Sequence, residues 1–198
     1  MNKRIAILIS GTGSNMLALV KSMEGDHPGT VALVLSNNPN TIGLQRAKNL
    51  GLPIVCLDHR PFGKDRIAYE RALHQVLLNH SIDFICLAGF MRIFTDEFIS
   101  LWEERILNIH PSLLPKYKGL KTHQRAIDSG DCEAGCTVHL VTSKLDAGPL
   151  LGQARVKIFE NDTAHLLRRR VLSQEHKLYP IILKRFLAGH RNFFHLDK

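Results

Sequence analysis

An amide and an imidazole stand two residues apart in the segment RILNIHPSLLPKYKG, residues 105–119. Asn108 and His110 lie in a short apolar run that breaks at Pro111, and the period of a strand points both side chains to the same face. This pair suits a reaction in which an oxyanion develops, because the amide donates a hydrogen bond and a protonated imidazole supplies charge and a proton. The structural alternative is that Asn108 and His110 only satisfy loop carbonyls.

A carboxylate, Asp146, lies in KLDAGPL beside Gly148 and Pro149, where a turn is the default interpretation. If this loop folds over the sheet edge, Asp146 is predicted to pair with His110, raise its pKa and fix its orientation. The sequence contains no GxSxG motif, although Ser112 is near His110. Direct attack by a substrate amine is therefore more economical than an acyl-enzyme.

A glycine-rich turn, SGTGSN at residues 10–15, follows the first apolar run and precedes a helical pattern. Ser14 or Asn15 is predicted to cap the helix, whose free N–H groups favour an anion. A dinucleotide fingerprint would need glycine at Met16 and an acidic residue at 36–38, and no Gly-Lys-Ser/Thr follows. A phosphate monoester is the preferred occupant, with a ligand-free turn as the alternative.

The elements that position these residues follow from hydrophobic patterning in the first half of the chain. Strands are predicted at 4–10, 30–36, 53–58 and 83–89, and helices at 15–23, 41–51 and about 65–79. Apolar strands that alternate with helices indicate a parallel sheet covered on both faces. Right-handed crossovers then bring the strands' C-terminal ends to one edge, where such folds bind ligands.

The second half is less regular. It is predicted to contain a helix near 95–103, a strand at 105–110, a helix near 122–129, two strands beginning at 135 and 149, and a helix over about 162–188 kinked at Pro180. The short segment TSKLDAG cannot hold a helical crossover, so the sheet is mixed here. The predicted fold is a doubly wound, Rossmann-like α/β domain over 1–189, mostly parallel, with helices on both faces. Residues 190–198 are predicted to be a peripheral tail.

Length, apolar content and net charge limit the classes of function that fit this chain. With 198 residues, of which 44% are apolar, the chain can bury one substantial core. The net charge of +8 is dispersed except for RRR at 168–170, so a solvated helix face is preferred over a nucleic-acid site. A positive surface also suits small anionic substrates. The opening apolar run is too short for a signal peptide or a membrane span, which predicts a cytoplasmic protein without a membrane partner.

The number and spacing of the cysteines do not indicate a metal site. Only Cys132 and Cys136 are spaced as a ligand pair, and no second Cys/His pair accompanies them. All four cysteines are expected to be buried, reduced thiols. No metal is predicted, and the oligomeric state, monomer or homodimer, is left open.

Five motifs together, SGTGSN, LAGFMRIF, LNIHPSLLPKYKG, GCTVHLV…LDAGP and QEHKLYP, resemble the phosphoribosylglycinamide formyltransferase family of folate-dependent enzymes of purine synthesis. The resemblance runs from residue 4 to about 189. It implies transfer of a formyl group from 10-formyltetrahydrofolate, a cosubstrate, to the glycinamide amine, with small-molecule substrates and no tightly bound cofactor.

The resemblance also implies roles for residues. The family's catalytic amide, imidazole and carboxylate fall on Asn108, His110 and Asp146, with Asp146 keeping His110 charged and helping a water relay protons. Contacts to the phosphoribosylglycinamide fall on Gly13, Ser14, Asn15, Leu172, Ser173, Gln174 and Glu175, with Glu175 at its amine. Contacts to folate fall on Arg66, Met91, Arg92, Ile93, Phe94, Asn108, Thr142, Ser143, Lys144, Leu145 and Asp146.

Two positions depart from the family pattern. Leu140 stands where an aromatic residue or valine is usual, and Ser143 stands where an acidic or bulky apolar residue is usual. Both flank Asp146, so they affect the expected folate contacts more than the chemistry.

Rival functions remain among relatives with the same three polar residues. Formyltetrahydrofolate hydrolase carries an extra N-terminal domain and lacks the GxGSN turn and the QEH segment. Methionyl-tRNA formyltransferase needs an additional C-terminal domain, and sugar-amine formyltransferases are further alternatives. A non-catalytic phosphosugar-binding module belongs to a different class, against which the presence of Asn108, His110 and Asp146 argues.

Overall fold

A computed structural model describes residues 2–196. The chain divides into two compact units, residues 1–107 and 108–198. Strand β5, Ile106–His110, crosses this division, so Asn108 and His110 both belong to the second unit. One domain over residues 1–189 stays a prediction.

The first unit contains a parallel sheet. Its strands are β1 (Lys3–Ile9), β2 (Gly29–Ser36), β3 (Ile54–Cys56) and β4 (Phe84–Leu87). Its helices are α1 (Ser14–Ser22), α2 (Ile42–Asn49), α3 (Arg66–Asn79) and α4 (Asp96–Leu101), with a 3₁₀ turn at Arg60–Phe62. The strand order is β3-β2-β1-β4, and each neighbouring pair is parallel. Residues 5–9 of β1 are fully buried, as expected of a strand covered on both faces.

The strand order reverses direction at β1, which defines the ligand edge of this unit. Right-handed crossovers on either side of the reversal place the connecting helices on opposite faces of the sheet. The turns that follow β1 and β4 meet at this point, since Ser10 donates its N–H to the carbonyl of Gly89 at 3.2 Å. Ligands of open α/β sheets bind at such a reversal.

The second unit contains the predicted mixed sheet. Its strands after β5 are β6 (Glu133–Leu140), β7 (Leu150–Lys157) and β8 (Phe194–Leu196), and its helices are α5 (Thr122–Asp128) and α6 (Ala164–Leu187). Strands β6 and β7 are antiparallel, whereas β7 and β8 are parallel. Helix α6 packs on β6 and β7 and continues past Pro180. The predicted α/β class, mostly parallel and mixed in its C-terminal half, is confirmed.

Two features differ from the sequence expectations. Residues 190–198, predicted to be a tail, contain β8, which pairs with residues 152–154 of β7; residues 197 and 198 lie outside the described part of the chain. Cys56 and Cys132 are exposed, so the expectation that all four thiols are buried is wrong for these two. Within residues 2–196, no helix has the length and apolarity to cross a membrane.

Candidate active site

The loop 141–149 joins β6 to β7 and carries Asp146. Leu140 donates its N–H to the carbonyl of Pro149 at 2.9 Å, which closes the base of the loop. Gly148 packs so tightly there that an added Cβ would lie 1.9 Å from the Leu140 carbonyl oxygen, and only glycine fits. Asp146 has φ 45°, a left-handed conformation that Asp tolerates better than most residues. Its side chain is 8% exposed, so this carboxylate is buried in the second unit.

Three groups of the second unit surround the Asp146 carboxylate. His110 Nδ1 lies 3.4 Å from Oδ2, and the Gly119 N–H donates to the same oxygen at 2.9 Å. His139 Nε2 lies 3.6 Å from the other oxygen, Oδ1. The structure therefore brings Asp146 to His110 and adds His139 and Gly119, which the sequence did not single out.

His110 presents both ring nitrogens to acceptors. Nδ1 faces the Asp146 carboxylate, and Nε2 lies 3.0 Å from the carbonyl oxygen of Tyr117. An imidazole with an acceptor at each nitrogen is oriented for the protonated form, in which both nitrogens are donors. The ring is therefore fixed in orientation from both sides.

Burial nevertheless lowers the pKa of His110 below its ordinary value. The Tyr117 carbonyl and the Asp146 carboxylate raise this pKa, while the charges of His139 and Arg125 lower it, and desolvation outweighs the rest. The Asp146 carboxylate raises this pKa as expected, but burial makes the net shift a lowering. A buried imidazolium with a lowered pKa gives up its proton more readily, which suits a general acid.

Asp146 is held in its charged form. Burial alone would raise the pKa of this carboxyl, but the contact with His139, the Gly119 N–H and the charge of His110 outweigh burial, so the pKa lies below its ordinary value. The environment of Asp146 therefore favours its ionised form.

Asn108 is linked to the same cluster through His139. The Asn108 side-chain nitrogen lies 3.1 Å from His139 Nε2, while His139 Nδ1 lies 2.8 Å from the carbonyl of Leu140. Because a carbonyl only accepts, Nδ1 donates to it, and Nε2 shares a hydrogen bond with the Asn108 amide. One amide N–H thus orients Asn108, and the second is available to an oxyanion. The polar residue inside the apolar segment GCTVHLV was the signal that could have identified His139.

The glycine-rich turn lies in the first unit. Gly13 is the N-cap of α1 with φ 73°, and no side chain caps the helix, so the prediction that Ser14 or Asn15 caps it is wrong. The left-handed backbone of Gly13 and its close approach to Gly43 replace a side-chain cap. Arg46, which the sequence did not single out, donates from Nη1 to the carbonyl of Thr12 at 3.0 Å and brings positive charge to this turn.

Gly13→Ala is expected to destabilise this turn. The left-handed conformation alone costs a Cβ-bearing residue roughly 1–2 kcal/mol, and the new Cβ would lie 2.9 Å from the Gly43 Cα. The urea midpoint of unfolding should fall and phosphate-monoester binding, measured by calorimetry, should weaken. Gly11→Ala is the matched control for stability, since a Cβ added at Gly11 would have no atom within 4 Å and the φ of Gly11 is not left-handed. Equal midpoints for both variants would contradict the expectation.

Residues implied in folate binding are divided between the two units. In the first, Arg66 donates from Nη2 to the Ile93 carbonyl at 2.7 Å, and the Arg92 guanidinium lies 4.9 Å from the centre of the Tyr69 ring. Met91 is exposed, and its N–H donates to Ser10 Oγ at 2.8 Å, which joins this segment to the glycine-rich turn. Phe94 is buried and stacks between aromatic rings.

The remaining predicted residues lie in the second unit. Thr142 donates to the Lys144 carbonyl at 3.4 Å, and Ser143 and Leu145 are exposed on the Asp146 loop. Of the two positions that depart from the family pattern, Leu140 is buried and Ser143 is exposed, so of these two side chains only that of Ser143 is available to a ligand.

The segment 172–175 lies on α6. Glu175 is 8% exposed and raises the pKa of the buried Cys136 thiol, after burial itself, which is the larger cause. Leu172 and Gln174 are half-buried, and Ser173 is exposed. A buried carboxylate at Glu175 fits the implied contact with a substrate amine better than a solvated helix residue does.

Acid is expected to destabilise the protein through three histidines of the second unit. Burial is the largest cause that lowers the pKa values of His110, His123 and His176. The unfolded chain therefore binds more protons than the native state below about pH 6.5. The contribution of these histidines to the free energy of unfolding is fully present above that pH and is lost as the pH falls through their native pKa values. Urea unfolding between about pH 7 and pH 5 should show a falling midpoint, and replacing His123 and His176 with glutamine should flatten this dependence.

The α/β fold clusters an amide and an imidazole from β5 with a carboxylate from the loop after β6, and the chain has no GxSxG motif. This arrangement defines a class of proteins equipped for direct group transfer. Residues 3–183 match the family described as formyl transferase. The chain belongs to the formyl transferase family.

Relatives of known name agree with this assignment. The phosphoribosylglycinamide formyltransferase of Escherichia coli (strain K12) is 42% identical over 198 residues, which are 98% of this chain and 93% of that protein. A solved phosphoribosylglycinamide formyltransferase from Brucella melitensis is 45% identical with a TM-score of 0.90, covering 96% of this chain and 98% of that one. The human trifunctional purine biosynthetic protein adenosine-3 is 41% identical over 187 residues, and the chain spans 18% of its length.

Proposed function

We propose that this chain transfers a formyl group from 10-formyltetrahydrofolate to the amine of 5'-phosphoribosylglycinamide, in purine synthesis. The observation that carries the proposal is the buried cluster of the second unit, in which Asp146 contacts His110 at 3.4 Å and His139 holds the Asn108 amide at 3.1 Å. Family membership over residues 3–183 supports formyl as the group transferred.

The reaction proceeds by direct attack of the substrate amine on the formyl carbon. A carbon–nitrogen bond forms, and the carbonyl oxygen takes the electron pair to become an oxyanion. Asn108 donates its free amide N–H to this oxyanion, and His110 supplies charge and a hydrogen bond. Collapse of the intermediate then breaks the bond from the formyl carbon to the folate nitrogen and releases tetrahydrofolate.

Proton transfer is shared between His110 and water. The attacking amine loses a proton, and the departing folate nitrogen gains one, so the net proton count is unchanged. The oxyanion raises the pKa of the adjacent imidazole while the intermediate exists, because an opposite charge favours the protonated form. When the oxyanion disappears, burial again lowers the pKa of His110, and the ring gives up its proton. Asp146 orients the ring and helps a water relay the proton.

Substrate contacts follow from the same proposal. Gly13, Ser14 and Asn15 hold the phosphate at the start of α1, because the N-terminus of a helix favours an anion, and Arg46 adds positive charge to that turn. Glu175, which lies in the segment 172–175, contacts the glycinamide amine. The folate contacts are assigned to Arg66, Met91, Arg92, Ile93, Phe94, Asn108, Thr142, Ser143, Lys144, Leu145 and Asp146.

The test offers the protein 10-formyltetrahydrofolate with one of three acceptors and follows folate absorbance. The acceptors are phosphoribosylglycinamide, water alone and a sugar amine. Turnover only with phosphoribosylglycinamide is expected. Turnover with water as fast as with the glycinamide would identify a hydrolase instead, and preference for the sugar amine would change the substrate class. A cytoplasmic location, a monomeric or homodimeric state and the absence of a tightly bound cofactor stay predictions.

A further inference from the structure

Tyr117 makes one polar contact through its backbone carbonyl and another through its phenol, both within the second unit. Its carbonyl oxygen lies 3.0 Å from His110 Nε2, and its phenol donates to Asp131 Oδ2 at 2.8 Å. One residue therefore connects the imidazole of the candidate site to a carboxylate that the mechanism does not use.

The Asp131 carboxylate is stabilised in its charged form by a neighbouring lysine. Lys116 Nζ lies 2.9 Å and 3.0 Å from its two carboxylate oxygens. The hydrogen bond from Lys116 is the largest cause that lowers the pKa of Asp131, and the Tyr117 phenol lowers it further. A phenol that donates to a charged carboxylate makes a stronger hydrogen bond than one between neutral groups.

The backbone around Tyr117 needs such an anchor. Tyr117 has φ 55°, a left-handed conformation that costs a residue with a Cβ roughly 1–2 kcal/mol. The Arg125 guanidinium lies 5.2 Å from the centre of the Tyr117 ring and donates to the Lys118 carbonyl at 2.7 Å. Two residues further on, the Gly119 N–H donates to Asp146. The segment 117–119 thus supplies a partner to each member of the His110–Asp146 pair.

We propose that Tyr117 is a positioning residue for His110: its phenol, anchored by Asp131, fixes the backbone carbonyl that orients the imidazole for formyl transfer. The proposal rests on the proposed function for its catalytic consequence. Its structural part, the link from Asp131 through Tyr117 to His110, holds for the imidazole whatever group is transferred.

The electrostatics around His110 give this link a measurable consequence. The charged and titratable groups that act on the ring are Asp146 from the loop after β6, His139 from β6 and Arg125 from α5. The charge of His110 in turn lowers the pKa of His123 on α5. Burial lowers the pKa of His110, and the Tyr117 carbonyl is the larger of the two influences that raise it. If the Tyr117 carbonyl is held less firmly, its hydrogen bond to the ring weakens, and the pKa of His110 should fall further.

The decisive variant is Tyr117→Phe, which removes the phenolic oxygen and keeps the ring against Arg125. The pKa of His110, read from its NMR resonance and assigned by loss in His110→Gln, is expected to fall by about one pH unit. kcat at neutral pH should fall about tenfold with KM for both substrates unchanged, and the limb of the pH profile that reports His110 should move to lower pH. Loss of packing alone would not move that limb.

Matched controls separate the link from general damage. Glu133→Gln breaks an exposed ion pair with Arg155 (3.0 Å) close in sequence to Asp131, and it should leave the pKa of His110 and kcat unchanged. Asp131→Asn weakens the same anchor from its other end, should shift the pKa of His110 in the same direction, and carries the test if Tyr117→Phe does not fold. Adding Asp131→Asn to Tyr117→Phe should change little more.

An unchanged pKa of His110 in folded Tyr117→Phe would overturn the proposal. If the wild-type protein instead transfers no formyl group while the NMR shift is present, the proposed function fails and the link stands. The two failures are distinguishable because the titration needs no substrate.

Discussion

His110→Ala is expected to abolish formyl transfer, with a fall in kcat of at least about 10³-fold. The alanine removes the charge beside the oxyanion, the group that moves the proton and the partner of Asp146. Single-turnover mixing with 10-formyltetrahydrofolate and phosphoribosylglycinamide measures the chemical step directly. An alanine variant that transfers formyl at the wild-type rate would show that the proposed mechanism is wrong.

Substrate binding should survive His110→Ala. The glycine-rich turn belongs to the first unit, whereas His110 belongs to the second, and Gly13 is fixed locally by α1 and Gly43. Calorimetric titration with phosphoribosylglycinamide should give a dissociation constant close to that of the wild type. Because His110 is 5% exposed, His110→Gln serves as a second variant that fills the space and can still donate to the Tyr117 carbonyl. It should be equally inactive.

The strands could be predicted because burial on both faces leaves a strong compositional signal. β1 is predicted at 4–10 and observed at Lys3–Ile9, and its central residues have no solvent exposure. The period of β5 also placed Asn108 and His110 on one face, and both contact the cluster around His139 and Asp146. These inferences need only local sequence, since strand period and apolar runs are local properties.

The pairing of Asp146 with His110 was predicted only on the condition that the loop folds over the sheet edge, because the loop conformation depends on backbone that no spacing encodes. It requires the left-handed φ of Asp146, the Gly119 N–H from a segment 27 residues away in the chain, and the tight base at Gly148. The net shift in the pKa of His110 could not be predicted for a related reason. Charge partners can be guessed from sequence, but the burial that outweighs them for His110 appears only in the folded chain.

Strand β8 shows a different limit. The segment RNFFHLDK lacks a long apolar run, and its short strand forms only by adding to the edge of β7. Contacts from α6 support it, since the Arg185 guanidinium lies 4.9 Å from the centre of the Phe194 ring and also donates to Asn192 at 3.2 Å. Such a strand depends on tertiary contacts rather than on its own propensity.

Asp146→Asn is expected to lower kcat by about 10²-fold or more while the loop keeps its structure. Asparagine tolerates left-handed φ as well as aspartate does, and its side-chain oxygen can still accept from the Gly119 N–H. The substitution therefore removes little except the negative charge. Without that charge the protonated form of His110 loses its carboxylate partner, so its pKa, already lowered by burial, should fall further.

The measurement is an NMR titration of His110 in wild type and Asp146→Asn, combined with the pH dependence of kcat. Both should move to lower pH together, and the dissociation constant of phosphoribosylglycinamide should stay unchanged. Asp131→Asn makes the comparison informative, because it also removes a carboxylate of the second unit but acts through Tyr117 rather than on the ring directly. A pKa of His110 that does not respond to Asp146→Asn would mean that the 3.4 Å contact has no electrostatic role, and Asp146 would then act through the backbone of Gly119 alone.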